Sequence, residues 1–483
     1  MNAPVRRLSL VVAALFASLL VSTTLIQYVF AADLNARPDN RRTLLSTFAR
    51  ERGEILVGQT AVARSVPVDD EYKYQREYPE GKLYAHVTGS YSFFGALGGL
   101  EQAENAFLSG SSDKLFYRRV SDLFTGRRAQ GANIETTLDP KVQAAAQQGL
   151  KGIQGAAVAL DPRTGAILAM YSNPTYDPND LASHDLAEVS RNYDALNKDP
   201  DKPLLNRSIN ELYPPGSVFK VVTAAAALST GEYDENSMLP GPAVLDLPGT
   251  TADLPNHDNR ACGDAEEITM TQALAVSCNT AFAYLGMQIG AEALQSQAAK
   301  FGFGDSLSVP MRVTPSSVPA EMDKAQLAQA SIGQFDVLVT PLQMAMVAAG
   351  VGNDGVVMKP YLVQSVIGSD LSVVESADPE QLSKAVSPEV ARQLTRMMES
   401  VVEDGTGRRA QMQGVDVAGK TGTAQHGEGR KAHAWFISFA PANDPKIAVA
   451  VLAEDGGVAG SEAGGGTVAA PIAKQMMEAR LSR

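Results

Sequence analysis

The chain has 483 residues, 45% of them hydrophobic and 20% charged. At about 100–200 residues per domain this is room for several packed units, which excludes a lone small module, a disordered tail and a multi-span membrane protein. Asp and Glu number 54 against 41 Lys and Arg, a net charge of −13 that argues against gripping nucleic acid through its phosphates. Two cysteines and five histidines, with no Cys-x-x-Cys and no His-Glu-x-x-His, leave no metal or cofactor expected.

Arg6-Arg7 precede an uncharged run from Leu8 to Ala32, longer than the roughly 20 apolar residues needed to cross a bilayer. A cleaved signal peptide is the competing reading, but its apolar core is only about 7–15 residues, ending at a small-residue site such as Phe30-Ala31-Ala32. The length favours a transmembrane anchor over residues 8–32. The paired arginines place residues 1–7 in the cytoplasm, although Arg37, Arg41 and Arg42 blur the charge bias. As a single-pass protein, the chain then has its bulk in a compartment without an ATP pool where disulfides form.

Residues 33–154 read as a charge-rich membrane-proximal domain, with arginine pairs at Arg41-Arg42, Arg118-Arg119 and Arg127-Arg128 and a Tyr/Gly-rich middle from Tyr72 to Gly99. Near its end, Ile134 to Leu138 alternates like a strand, and Asp139 is placed to cap a helix opening at Pro140. The second domain, 155–483, starts with two strands, Ala156–Leu160 and Ala166–Met170, around the turn Asp161-Pro162-Arg163-Thr164-Gly165. It ends with a second hairpin, Ala434–Ala440 and Ile447–Ala453, and a helix over Thr467–Leu481. The stretch between is mostly helical, so the expected class is α+β, an antiparallel sheet flanked by helices.

Pro214-Pro215-Gly216 should aim the chain into a helix beginning near Ser217, where the helix dipole favours developing negative charge and Lys220 follows on the same face. A serine becomes a nucleophile when a nearby amine of lowered pKa takes its proton. Ser-x-x-Lys alone is a weak signal; Ser111-Ser112-Asp113-Lys114 also fits, without the Pro-Pro-Gly entry or an apolar helix, and reads as surface loop. Ser277-Cys278-Asn279 and Lys420-Thr421-Gly422-Thr423 then follow in order. Ser190-Arg191-Asn192 and Ser208-Ile209-Asn210 precede Ser217 and read as coincidence.

This ordered set resembles the active-site motifs of penicillin-binding proteins and serine β-lactamases. The likeness extends to Arg52-Gly53-Glu54-Ile55, Gly165 to Met170, Tyr213 to Ser217, Gly333-Gln334, Thr340-Pro-Leu-Gln343 and Gly405-Thr406-Gly407. The chain resembles a class B penicillin-binding protein, most similar to the PbpA type of actinobacteria, with a dimerisation-like domain at 33–154. The resemblance implies a peptidoglycan D,D-transpeptidase for cell wall synthesis and division. Its donor is the D-Ala-D-Ala stem peptide, its acceptor an amine, its covalent inhibitors β-lactams, and its partners a SEDS-type glycosyltransferase and division proteins.

The implied roles are Ser217 as nucleophile and Lys220 as base, with Ser277 relaying a proton between the lysines, Lys220 and Lys420, and the leaving amine, and Asn279 orienting Lys220 and bonding the substrate amide. Thr421, Gly422 and Thr423 hold the substrate, and the N–H groups of Ser217 and Thr423 form the oxyanion hole. The charge of Lys420 should hold down the pKa of Lys220. His426 and His433 read as strand-edge histidines, and Trp435 as core.

Gly414 to Thr421 also fits a P-loop, but Val415-Asp416-Val417 alternates and no helix pattern follows, so no nucleotide is expected. Rivals within the same fold are a D,D-carboxypeptidase or β-lactamase, for which Glu211, Glu266 and Glu267 offer no clear hydrolytic base, and a β-lactam sensor or scaffold. Cys262 and Cys278, 16 positions apart, are expected to form a disulfide; two buried thiols are the alternative.

Overall fold

The computed structural model describes residues 3–31, 34, 48–116, 124, 130–425, 431–457 and 464–482. Arg37, the three arginine pairs and His426 lie outside the described residues. The helix Ala3–Thr24 continues as a π-helical turn, Leu25–Val29, and together they are long and apolar enough to cross a membrane. The helix takes in Arg6 and Arg7 ahead of the apolar run, since arginine is a good helix former.

A six-stranded sheet builds the membrane-proximal half, in the order 373–376, 363–367, 133–136, 55–57, 60–67, 74–77. Its inner pair, Ile55–Val57 with Asn133–Thr136, is parallel. The hairpin Val363–Ile367 and Val373–Ser376 comes from far along the chain and pairs Val366 opposite Ile134. The sheet thus takes in strands from beyond residue 154, because an open ladder accepts any strand regardless of sequence distance.

The converse holds for the helix Pro140–Gly149. Asp139 caps it by accepting from the N–H groups of Lys141 and Val142. Its Val142, Ala146 and Leu150 share a core with Val449, Val451, Met476 and Met477 of the second half. Gly149 makes this contact possible, since a Cβ there would lie 2.5 Å from Ile472 Cγ2.

Charge holds the membrane-proximal half together from inside. Glu101, on the short helix Gly99–Ala103, is fully buried between two guanidiniums, accepting from Arg52 Nε and Arg76 Nε at 2.6 Å each. Tyr78 Oη donates to the same carboxylate at 3.2 Å, and Arg52 also lies 4.2 Å above the Tyr91 ring. Burial pushes the Glu101 carboxyl up, but the two arginines outweigh it and keep it below the ordinary range.

The second half is an antiparallel five-stranded sheet in the order 418–424, 433–440, 447–453, 155–160, 167–173. Every residue of Ile447–Ala453 is buried because both faces are covered. Val449 and Val451 face the terminal helix Ala470–Leu481, while Ala448, Ala450 and Leu452 face the core of the helix Pro341–Gly352, the period-2 alternation of a strand. Thr340 caps that helix by accepting from Gln343 N–H at 3.1 Å, with Pro341 in its first turn. Ala418–Ala424 is left at the edge of the sheet.

Candidate active site

Ser217 is set by two glycines. Gly216 has φ +53°, its N–H donates to Gly333 O at 2.9 Å, and a Cβ on it would sit 2.6 Å from Thr423 O. Gly333 has φ +76°, and its Cβ would fall 2.1 Å from Gly216 O. No side chain fits at either position, so the turn before Ser217 lies flush against the strand carrying Thr423.

The sequence predicts an α-helix from Ser217. The chain instead makes a 3₁₀ turn over Gly216–Phe219, where Lys220 N–H donates to Ser217 O, and becomes α-helical at Lys220–Thr230. The left-handed Gly216 forces that tighter entry. Ser217 is half-buried, whereas Lys220 one turn on is fully buried.

Two lysines meet at one serine. Lys220 Nζ donates to Ser277 O at 2.7 Å and to Asn279 Oδ1 at 2.8 Å, and lies 3.3 Å from Ser277 Oγ. Lys420 Nζ donates to Ser277 Oγ and to Thr421 O, each at 2.9 Å. Neither lysine is exposed at all, and among the described residues neither has a carboxylate within ion-pair distance.

Burial, then the charge of Lys420, hold Lys220 well below the ordinary lysine value, and burial brings Lys420 down to about 7. The neighbouring charge expected from sequence is thus the smaller cause. A neutral Lys220 amine satisfies both carbonyl oxygens with its two N–H groups and keeps a lone pair for a proton.

Ser277 makes this geometry by standing at φ +62°, a left-handed conformation that a non-glycine residue adopts at a cost of about 1–3 kcal/mol. It follows the helix Met270–Ala275 and precedes Asn279–Ile289, and its turn shows both its carbonyl and its hydroxyl to Lys220. Asn256, which carried no sequence signal, holds the far side. Its Oδ1 accepts from Asn279 N–H at 2.9 Å and Thr280 N–H at 3.1 Å, and its Nδ2 donates to Pro242 O and Arg260 O. Cys262 and Cys278 are disulfide-bonded with Cα atoms 6.2 Å apart, tying that loop to the residue between Ser277 and Asn279.

Arg207 and Glu454, unmarked in the sequence, join Tyr213 and Trp435 in fixing the nucleophile turn from behind. Tyr213 Oη donates to Glu454 Oε1 at 2.6 Å, Arg207 Nε donates to the same oxygen at 2.8 Å, and Trp435 Nε1 donates to Pro214 O at 3.1 Å. Trp435 is fully buried. His433 is buried opposite Ala424, its Nδ1 accepting from Asp455 N–H at 3.2 Å.

On the strand Ala418–Ala424, Thr421 is 6% exposed and Thr423 half-buried, facing the same side. Gly422 lies opposite Trp435, and a Cβ on it would stand 3.0 Å from Pro215 O. Residues 414–419 lead into this strand rather than a helix, so the P-loop pattern has no phosphate cradle. Ser111 to Lys114 lies in an exposed turn whose Lys114 pairs with Glu375, and Ser190 to Asn192 lies in the helix Leu186–Lys198, both away from the lysines. Glu266 and Glu267 are exposed.

A half-buried serine at a tight helix entry, two buried lysines on a second serine and a threonine-bearing edge strand define a serine acyltransferase site. Residues 155–478 match the penicillin binding protein transpeptidase domain, and residues 52–134 the penicillin binding protein A dimerisation domain. The chain belongs to the penicillin-binding proteins, in the class B group of the PbpA type.

It is 46% identical to the peptidoglycan D,D-transpeptidase PbpA of Mycolicibacterium smegmatis, over 100% of this chain and 99% of that protein. It is 44% identical to the protein of the same name from Mycobacterium tuberculosis, with the same coverage. The ceftriaxone acyl-enzyme complex of penicillin-binding protein A from M. tuberculosis superposes with a TM-score of 0.88 at 44% identity, covering 91% of this chain and 100% of that one. The penicillin G acyl-enzyme complex of that protein superposes at 0.85, covering 90% of this chain and 100% of that one.

Proposed function

We propose that this protein is a peptidoglycan D,D-transpeptidase that acylates Ser217 with a stem peptide, releases D-Ala and passes the acyl group to an amine of a second peptide. The observation that carries this is the meeting of two fully buried lysines on Ser277 Oγ beside the Ser217 turn. Lys220, neutral, takes the Ser217 proton as Oγ attacks the carbonyl. Ser277, between Lys220 and Lys420, hands a proton to the departing amine and later accepts one from the attacking amine.

Asn279 orients Lys220, Thr421 and Thr423 hold the substrate carboxylate, and Gly422 lets the strand approach. The N–H groups of Ser217 and Thr423 stabilise the oxyanion, a contribution of about 3–4 kcal/mol for one such donor. Among the described residues no carboxylate is hydrogen-bonded to Ser217, Lys220, Ser277 or Lys420, which supports an acyl-enzyme that outlives attack by water and so favours an amine acceptor.

The N-terminal helix anchors the chain once in the membrane, with Arg6 and Arg7 on the cytoplasmic side and both folded halves outside. The proposed partners of the membrane-proximal half are a SEDS-type glycosyltransferase and division proteins, and the proposed substrate of the catalytic half is the cell wall.

Intact-mass analysis of the detergent-solubilised full chain after penicillin G tests the assignment. One penicilloyl adduct, stable for many minutes and absent in Ser217→Ala, is expected. An adduct persisting in that variant would remove Ser217 from its role. Release of penicilloate within seconds, with only shortened stem peptides as products, would replace the transpeptidase by a hydrolase.

A further inference from the structure

Thr406, in the Gly405-Thr406-Gly407 turn, lies next to the strand that carries Thr421. Its backbone is clamped on two sides. Its N–H donates to Ala275 O at 3.1 Å, at the end of the helix that leads to Ser277. A Cβ on Gly405 would lie 2.3 Å from Ala275 O, and one on Gly466 would lie 2.2 Å from Thr406 O. Held in this way, Thr406 Oγ1 stands 2.6 Å from Thr421 Oγ1 and 3.4 Å from Ala275 O.

Each hydroxyl carries one proton and two lone pairs. The short contact between the two threonines consumes one of their two protons. If Thr421 supplies it, the substrate side of Thr421 presents only lone pairs, and a carboxylate, itself only an acceptor, is repelled. If Thr406 supplies it, the Thr421 proton is free for the carboxylate, in a charge-assisted bond of the stronger kind. Turning the Thr406 proton toward Thr421 gives up only a 3.4 Å contact to Ala275 O, which keeps its 3.1 Å backbone partner.

We infer that Thr406 is a positioning residue for substrate selection: it donates to Thr421 Oγ1 and thereby makes the Thr421 hydroxyl a donor to the terminal carboxylate of the acyl donor. The inference rests on the reading that Thr421 meets that carboxylate. It also couples the two motif elements, since one residue touches both the end of the Ser277 helix and the Thr421 strand.

The test compares acylation of the full-length protein in detergent by two thioester donors, one ending in a free carboxylate and the other in the corresponding primary amide. Wild type should prefer the carboxylate. Thr406→Val leaves the Thr421 proton free but removes the donor that fixes and polarises its hydroxyl, and should lose a few-fold of that preference through the carboxylate donor alone. Thr406→Ser should restore the preference, as a merely space-filling residue would not require. Should Thr406→Val fail to fold, Thr406→Ala against Thr406→Ser gives the same comparison.

An equal fall for both donors, or a preference unchanged in the variant without the hydroxyl, overturns the inference. Thr421→Val separates the two readings. If it abolishes the preference while the Thr406 variants keep it, only the role of Thr406 falls. If it too leaves the preference intact, the carboxylate contact itself is misassigned.

Discussion

Both halves of this protein bury charge, and they do so in opposite ways. In the membrane-proximal half, Glu101 sits with no exposure between Arg52 and Arg76, each 2.6 Å away, and the arginines keep its carboxyl ionised. In the catalytic half, Lys220 and Lys420 are equally buried but have each other, serine and carbonyl oxygens for company, and burial drives both amines toward neutrality. Opposite charges in apolar surroundings fix a structure. Like charges there become a base. Burial is common to both sites, and what differs is whether an opposite charge stands close enough to outweigh it.

Removing one member on each side separates the two roles. Lys220→Ala should slow penicillin acylation by on the order of a thousandfold or more, the contribution of a general base, in a chain that still melts cooperatively close to the wild-type temperature. Stopped-flow acylation and calorimetry measure the two effects. A large loss of stability with residual acylation would make Lys220 structural.

Glu101→Ala should act the other way round. It leaves two guanidiniums buried without an anion, at a cost of about 3–5 kcal/mol, visible as a lower unfolding midpoint in denaturant, while acylation per folded molecule is preserved. A variant as stable as wild type would mean that the triad is not what holds this half together.

A smaller effect is expected at the disulfide. Reducing Cys262–Cys278 frees a loop of 16 positions and should lower stability by about 3 kcal/mol in the chain-entropy model, with a looser Ser277–Asn279 segment and slower acylation. Unfolding curves and acylation rates with and without reductant give both numbers. Identical curves would show that the bond constrains neither state.

The legible parts of the molecule were those set by local chemistry. Asp139 before Pro140 reads as a cap because the side chain serves the next two N–H groups, and Asp161 to Gly165 reads as a turn because Gly165 must take φ +82°. The three motifs are legible in order, and the structure joins Lys220, Ser277, Asn279 and Lys420 by hydrogen bonds, with the turn before Ser217 against the strand of Thr423. What stayed hidden was long-range.

Nothing in Val363–Ile367 says that its partner is Asn133–Thr136, and Glu101 in a short polar helix looks like a solvated charge until Arg52 and Arg76 close over it. Asn256 and Glu454 are ordinary polar residues whose meaning comes only from what faces them. The 3₁₀ entry at Ser217 also escaped the pattern, since hydrophobic spacing does not register that Gly216 has Thr423 at its back.

Catalysis at this site depends on burial making Lys220 a base below the range where a solvated lysine titrates. The direct measurement is the pH dependence of the second-order rate of acylation by penicillin G, taken on the full chain from acidic to strongly alkaline buffer. A neutral amine accepts the Ser217 proton and an ammonium does not, so the rate falls as pH drops below the pKa of Lys220 and is level above it. With that pKa well below the ordinary 10.5, the plateau should begin well below that value and remain flat through the range where a solvated lysine titrates. A rate that keeps climbing through that alkaline range would show an ordinary lysine and contradict the account.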